Sequence, residues 1–137
     1  TYPISLAEAK RECRIDEDDT SHDDDLNGYI AAATAFCQKR SRRQFVTATL
    51  KQTMRPRCGY VGLDRLPVIA VSSVVDGDAT SVTYELDRSR LRPHLVLDTT
   101  PEMLEITFTA GYGTQADVPA NVKIAIAKLV RHFWKRV

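Results

Sequence analysis

Apolar residues recur with a helical period at both ends of this chain and with a period of two through its middle. Near the start, Leu6, Ala9 and Cys13 share one helical face, and Ser5 followed by Glu8 forms a capping box with Ile4 as a staple. This predicts a short helix from about Leu6 to Cys13. Ile15 then leads into Asp16 to Thr20, a loop with nothing to bury. Thr20 or Ser21 can cap a second helix, whose first turn holds Asp23, Asp24 and Asp25, carboxylates suited to the positive end of the helix dipole. Leu26, Ile30, Ala33 and Cys37 recur beside Tyr29 and Phe36, and Lys39, Arg40, Arg42 and Arg43 lie at or beyond its negative end. Such a helix has roughly 18 residues and is ~27 Å long.

After Phe45 the period changes. Thr47 to Arg55 is threonine-rich and predicts a strand, Pro56 to Gly62 a loop, and Val68 to Val75 a β-branched strand. Asp76-Gly77 signals a turn into a second alternating run, Val82, Tyr84, Leu86, so these two runs read as a hairpin. Leu91 to Leu97, interrupted by Pro93, reads as an edge strand. Leu104, Ile106, Phe108 and Ala110 alternate with Glu105, Thr107 and Thr109, the pattern of a half-buried strand, and Gly111-Tyr112-Gly113 ends it. Pro119 opens a last helix with Val122, Ile126, Leu129, Val130 and Phe133 on one stripe and Lys128, Arg131 and Lys135 on another. The expected fold class is α+β: an N-terminal helical pair, central antiparallel strands with a hairpin, and a C-terminal helix, in one domain over residues 1–137.

Composition adds a size and a compartment. A chain of 137 residues, 43% hydrophobic and 27% charged, buries roughly two-thirds of its surface and needs no metal or disulfide staple. Cys13, Cys37 and Cys58 are far apart, with no CxxC. They read as free thiols made in a reducing cytoplasm, with a Cys13–Cys37 contact in the core left open and a disulfide disfavoured. No apolar run approaches 18 residues, and Thr1 to Lys10 does not read as a signal peptide, so no membrane association is expected.

The net charge is only +1, but the charges are segregated. Asp16 to Asp25 holds seven carboxylates, Lys39 to Arg57 seven cations and no acid, and the stretch from Val118 onward five cations and no acid. One reading is a solvated surface with helix-end charges. The other is a pair of complementary patches, one docking on its opposite in a neighbouring copy, a head-to-tail contact that generates a ring if it closes. Opposed charges of this kind set register more than affinity.

Catalytic chemistry is absent from the motifs. His22, His94 and His132 are scattered, and no HExxH, GxSxG, GxxxxGK[ST] or GxGxxG occurs. The acidic run lacks the glycine and terminal glutamate of an EF-hand loop, so no metal and no cofactor are expected. Trp134, Phe133 and Tyr112 read as packing residues before a stacking platform. The basic last helix leaves one rival function, a small nucleic-acid-binding module, although a polyanion binder is normally more basic than this chain.

Two stretches carry a family likeness: Ile4-Ser5-Leu6-Ala7-Glu8-Ala9-Lys10 with Arg14-Ile15-Asp16 and Tyr29-Ile30-Ala31-Ala32-Ala33-Thr34, and Phe108-Thr109-Ala110-Gly111-Tyr112-Gly113 with Val118-Pro119 and the helix to Arg136. With Leu66-Pro67-Val68 and Val71-Ser72-Ser73-Val74 between them, the chain resembles the tailed-phage head–tail connector (adaptor, head-completion) family. It departs from that pattern at Cys13, where a larger aliphatic residue is usual, at Arg42, where glycine is common, at Asp64, where proline is frequent, and in lacking acidic residues after the last helix.

The resemblance implies a non-enzymatic virion protein, made in the host cytoplasm and added to the portal vertex after DNA packaging. Such proteins form a ring, usually dodecameric, that extends the portal channel and receives a stopper or tail-completion protein, with DNA only as transiting cargo. On this reading Asp16, Asp18, Asp19, Asp23 and Asp24 meet Arg40, Arg42 and Arg43 of a neighbour, and Arg131, Phe133, Trp134 and Lys135 dock on the portal.

Overall fold

The computed structural model describes residues 1–89 and 92–136. They form an α+β fold in two compact units, one made of Thr1–Ser41 with the segment from Tyr112 onward, the other of Arg42–Gly111.

The first unit is helical. Helix α1 is Leu6–Cys13, α2 is Asp23–Ser41 and α3 is Ala120–Lys135. The Ser5 hydroxyl accepts the Glu8 amide at 3.2 Å, as the capping motif requires. Arg14 closes α1 in the left-handed region at φ 59°, and the Ile15 amide reaches back to the Lys10 carbonyl at 2.9 Å, a Schellman-type end without its usual glycine. Along α2, Leu26, Ile30, Ala33 and Thr34 are buried, and Ser41 donates to the Cys37 carbonyl at 2.7 Å, satisfying one of the last acceptors. Pro119 sits one residue before α3, at the capping position, and its carbonyl accepts the Val122 and Lys123 amides. Ile126 and Val130 are the fully buried part of the α3 stripe.

The second unit holds two three-stranded antiparallel sheets. The first has the order β1 (Ala48–Met54), β6 (Leu104–Ala110), β3 (Val68–Asp76). The second has β2 (Tyr60–Gly62), β5 (His94–Leu97), β4 (Tyr84–Asp87). The alternation in β6 places Leu104, Ile106, Phe108 and Ala110 in the core. They join Val61, Leu63, Val68, Val74, Leu95 and Leu97 in one cluster drawn from both sheets. The Gln52 amide on β1 ties this unit together. Its Nε2 donates to the Gly62 carbonyl at 3.1 Å and its Oε1 accepts the Asp64 amide at 3.0 Å. The outer side of β3 is covered from within the unit: Arg88 donates to the carbonyls of Val68 and Ile69, and the Tyr84 hydroxyl to that of Val71. Gly111 is required where β6 ends. Its φ is +136°, and a Cβ there would collide with the backbone of Thr47.

Three expectations need correction. The segment expected as a loop from Pro56 to Gly62 ends in β2, whose residues pair with β5. The expected hairpin shrinks to its turn. Asp76 accepts the amides of Asp78 and Thr80, Val75 bridges Ser81, and the Val82 amide reaches Val74. Beyond that point β4 pairs with β5, because β3 is already laddered along β6. Strand β5, expected at an edge, lies at the centre of its sheet. Pro93 precedes the ladder, so its missing N–H interrupts nothing, and Leu91 lies outside the described residues.

Arg42, where the resemblance implies a glycine, has a glycine-like backbone at φ 55° directly after α2. An L-residue there is strained by roughly 1–2 kcal/mol, partly offset because glycine loosens the unfolded chain. Arg42→Gly is therefore expected to raise stability by up to about 1 kcal/mol in urea titration, even though it removes a candidate interface charge.

Candidate assembly surface

The acidic segment is folded around one buried cation. Lys10 on α1 is 4% exposed. Its Nζ lies 2.8 Å from Asp23 Oδ1 and donates to the Glu17 carbonyl at 3.2 Å. The Asp16 carbonyl accepts the Asp19 amide, and the Asp19 carboxylate accepts both the hydroxyl and the amide of Ser21. Those two bonds, the hydroxyl first, hold Asp19 below the usual carboxylate range. Of the candidate acidic residues, Asp16, Asp18 and Asp24 are exposed and Asp19 partly so, whereas Asp23 is turned to Lys10. Lys10 is the residue of this segment that sequence reasoning missed. Its signal was a cation on α1 just ahead of an otherwise unrelieved acidic run.

The basic residues lie at the far end of the same helix. Lys39 and Arg40 occupy the last turn of α2, Arg42 and Arg43 follow at the start of the second unit, and all four are exposed. The 19 residues of α2 span ~28 Å, about three Debye lengths at physiological salt. The acidic end of the helix thus cannot neutralise its basic end.

The four candidate portal residues divide. Phe133 stacks at a tilt on Tyr29, with centroids 6.1 Å apart, and Trp134 meets His22 edge-on at 4.8 Å. Both rings are half-buried and fasten α3 to the start of α2. Arg131 approaches Glu12 at 3.9 Å, and Lys135 is exposed. The three cysteines are free thiols. Burial pushes the Cys13 and Cys37 thiols up, with Glu12 adding to the rise at Cys13, whereas Cys58 is exposed.

Before α3, the turn at Gln115–Asp117 is closed by Asp117, whose carboxylate accepts the amide and hydroxyl of Thr114 and is held low by them. Gly113, at φ +129°, leaves room for it; a Cβ would stand 2.5 Å from Asp117 Oδ2. Among the described residues no three His, Cys, Asp or Glu side chains are grouped to hold a metal, and no helix is long and apolar enough to cross a membrane.

The exposed charge on this small α+β scaffold is thus gathered in separate acidic and basic clusters. The chain belongs to the phage gp6-like head-tail connector protein family, whose model matches residues 3–75. No curated protein matches it. Among solved structures it is similar to a chain from the neck of an empty gene transfer agent (GTA) particle computed with C6 symmetry, with a TM-score of 0.83 and 23% identity over 97% of this chain and 78% of that one. It is also similar to a chain of the native GTA virion, with a TM-score of 0.79 and 23% identity over 97% and 78%. A chain from the native GTA neck computed with C12 symmetry gives 0.74 and 22% over 96% and 80%. These likenesses establish the fold, and the family membership establishes a structural connector role.

Proposed function

We propose that the protein forms a ring on the portal vertex, extending the DNA channel and offering a surface to the stopper or tail. The observation that carries this is the placement of exposed carboxylates and exposed cations at the two ends of α2. A chain with such ends is satisfied when the acidic segment of one copy meets the basic segment of the next, and a head-to-tail contact repeated by rotation closes into a ring. Solved necks with C6 and C12 symmetry support the same geometry, the latter a count of twelve. In this ring Asp16, Asp18, Asp19 and Asp24 face Arg40, Arg42 and Arg43 of the neighbour, Asp23 supports them through Lys10, and Arg131 and Lys135 reach the portal while Phe133 and Trp134 hold α3 in place. The chain performs no catalysis, and DNA passes without being gripped.

Replacing Arg42 and Arg43 by Glu should block ring assembly on a cognate portal, scored by negative-stain imaging, and adding Asp18→Lys and Asp19→Lys should partly restore it. Unchanged assembly by the Arg42→Glu, Arg43→Glu chain would remove the electrostatic registration. Tight, salt-sensitive DNA retention by the isolated wild-type chain would favour a nucleic-acid-binding module instead.

A further inference from the structure

Helix α2 has a second apolar face that the subunit does not use. Its buried residues, Leu26, Ile30, Ala33 and Thr34, lie on one side. On the side away from them, at 100° per residue, lie Asp25, Gly28, Ala32, Ala35, Phe36 and Lys39, all exposed. Phe36 is 55% exposed, the largest aromatic exposure in the unit, and a Cβ on Gly28 would meet nothing within 4 Å. An aromatic knob and a shallow shelf therefore sit two turns apart on one side, with Asp25 beyond the shelf and Lys39 beyond the knob.

This order is self-complementary. When two α2 helices pack antiparallel about Ala32, Phe36 of each falls against Gly28 of the other and Asp25 against Lys39. Small residues at 28, 32 and 35 let the axes approach to the short end of the ~8–10 Å range. A parallel pairing would set acid on acid and base on base. We infer that the free protein associates with a second copy of itself through this face, as an isologous, two-fold dimer. The inference goes beyond the ring. A two-fold contact is isologous, whereas the ring contact is heterologous. A contact between single helices is at the small end of specific interfaces, so it is weak and concentration-dependent.

The test uses Ala32→Cys in a Cys58→Ser background, with Cys58→Ser alone as control. Only a two-fold contact brings residue 32 against itself. Mild oxidation at high protein concentration should give a covalent dimer from the Ala32→Cys chain and none from the control. Adding Phe36→Glu, an exposed change expected to leave circular dichroism unaltered, should abolish that product and weaken self-association about tenfold or more in sedimentation. No cross-link, or one indifferent to Phe36→Glu, would overturn the dimer. The ring proposal is untouched by either result, because its test reads Arg42, Arg43, Asp18 and Asp19 on the portal.

Discussion

Phe108→Ala is expected to destabilise the protein by roughly 3–5 kcal/mol, the cost of deleting a buried aromatic ring and leaving its cavity. Phe108 is 1% exposed and heads the fully buried side chains by volume. It lies on the central strand β6, opposite Leu50 on β1 and Val71 on β3, so both neighbouring strands face the cavity. Both are laddered to β6, which limits how far the site can collapse. A loss of this size is a large part of the 5–15 kcal/mol that holds a typical domain folded. Urea titration should show the midpoint falling sharply with little change in slope. Phe108→Leu, which keeps most of the volume, should cost far less, and Thr109→Ala, on the other face of the same strand, almost nothing. Equal losses for all three would mean that β6 is not the centre of the core. Since Arg42 and Arg43 enter through the same unit, the unstable variant should also fail to assemble.

Strand β6 was legible because its alternation is complete and its end is punctuated by glycine. Helices α1 and α3 were legible from capping residues and apolar spacing. What periodicity could not give was partnership. The run Tyr84 to Leu86 has the right pattern for a hairpin with β3, yet it pairs with β5, a choice set by which edge was already taken. Strand β2 has three residues, too few to show a period, and it is recruited by β5 and by the Gln52 amide from a distant strand. At the candidate site the charge runs were plain in the sequence, but their orientation was not. Asp18 and Asp23 look alike in a string of acids, and only the fold turns one outward and the other onto Lys10. In the same way Phe36 stands beside the apolar stripe in the sequence, while the helix sets it on the open side.

Asp23→Ala is the second large effect, and its reason is the cation it would strand. With Lys10 5% exposed at its side chain and Asp23 28%, the pair is largely withdrawn from water. Breaking a buried pair from one side costs about 3–5 kcal/mol, because the remaining charge keeps its desolvation penalty. Lys10 retains the Glu17 carbonyl, so a value near the lower end, about 3 kcal/mol, is expected. Asp23→Asn keeps an acceptor and should lose less. The decisive variant is Lys10→Met with Asp23→Ala. Removing both charges together is often close to neutral, so the double variant should recover much of the stability lost by the single one, and the cycle gives the coupling directly. If the losses simply add, the two side chains do not hold each other. Lys10 also binds the backbone at Glu17, in the middle of the acidic segment. Its withdrawal in the double variant should therefore leave a stable chain whose Asp16, Asp18 and Asp19 are no longer held in place. That chain separates folding from assembly: if fixed carboxylates register the ring, it folds and still assembles poorly on the portal.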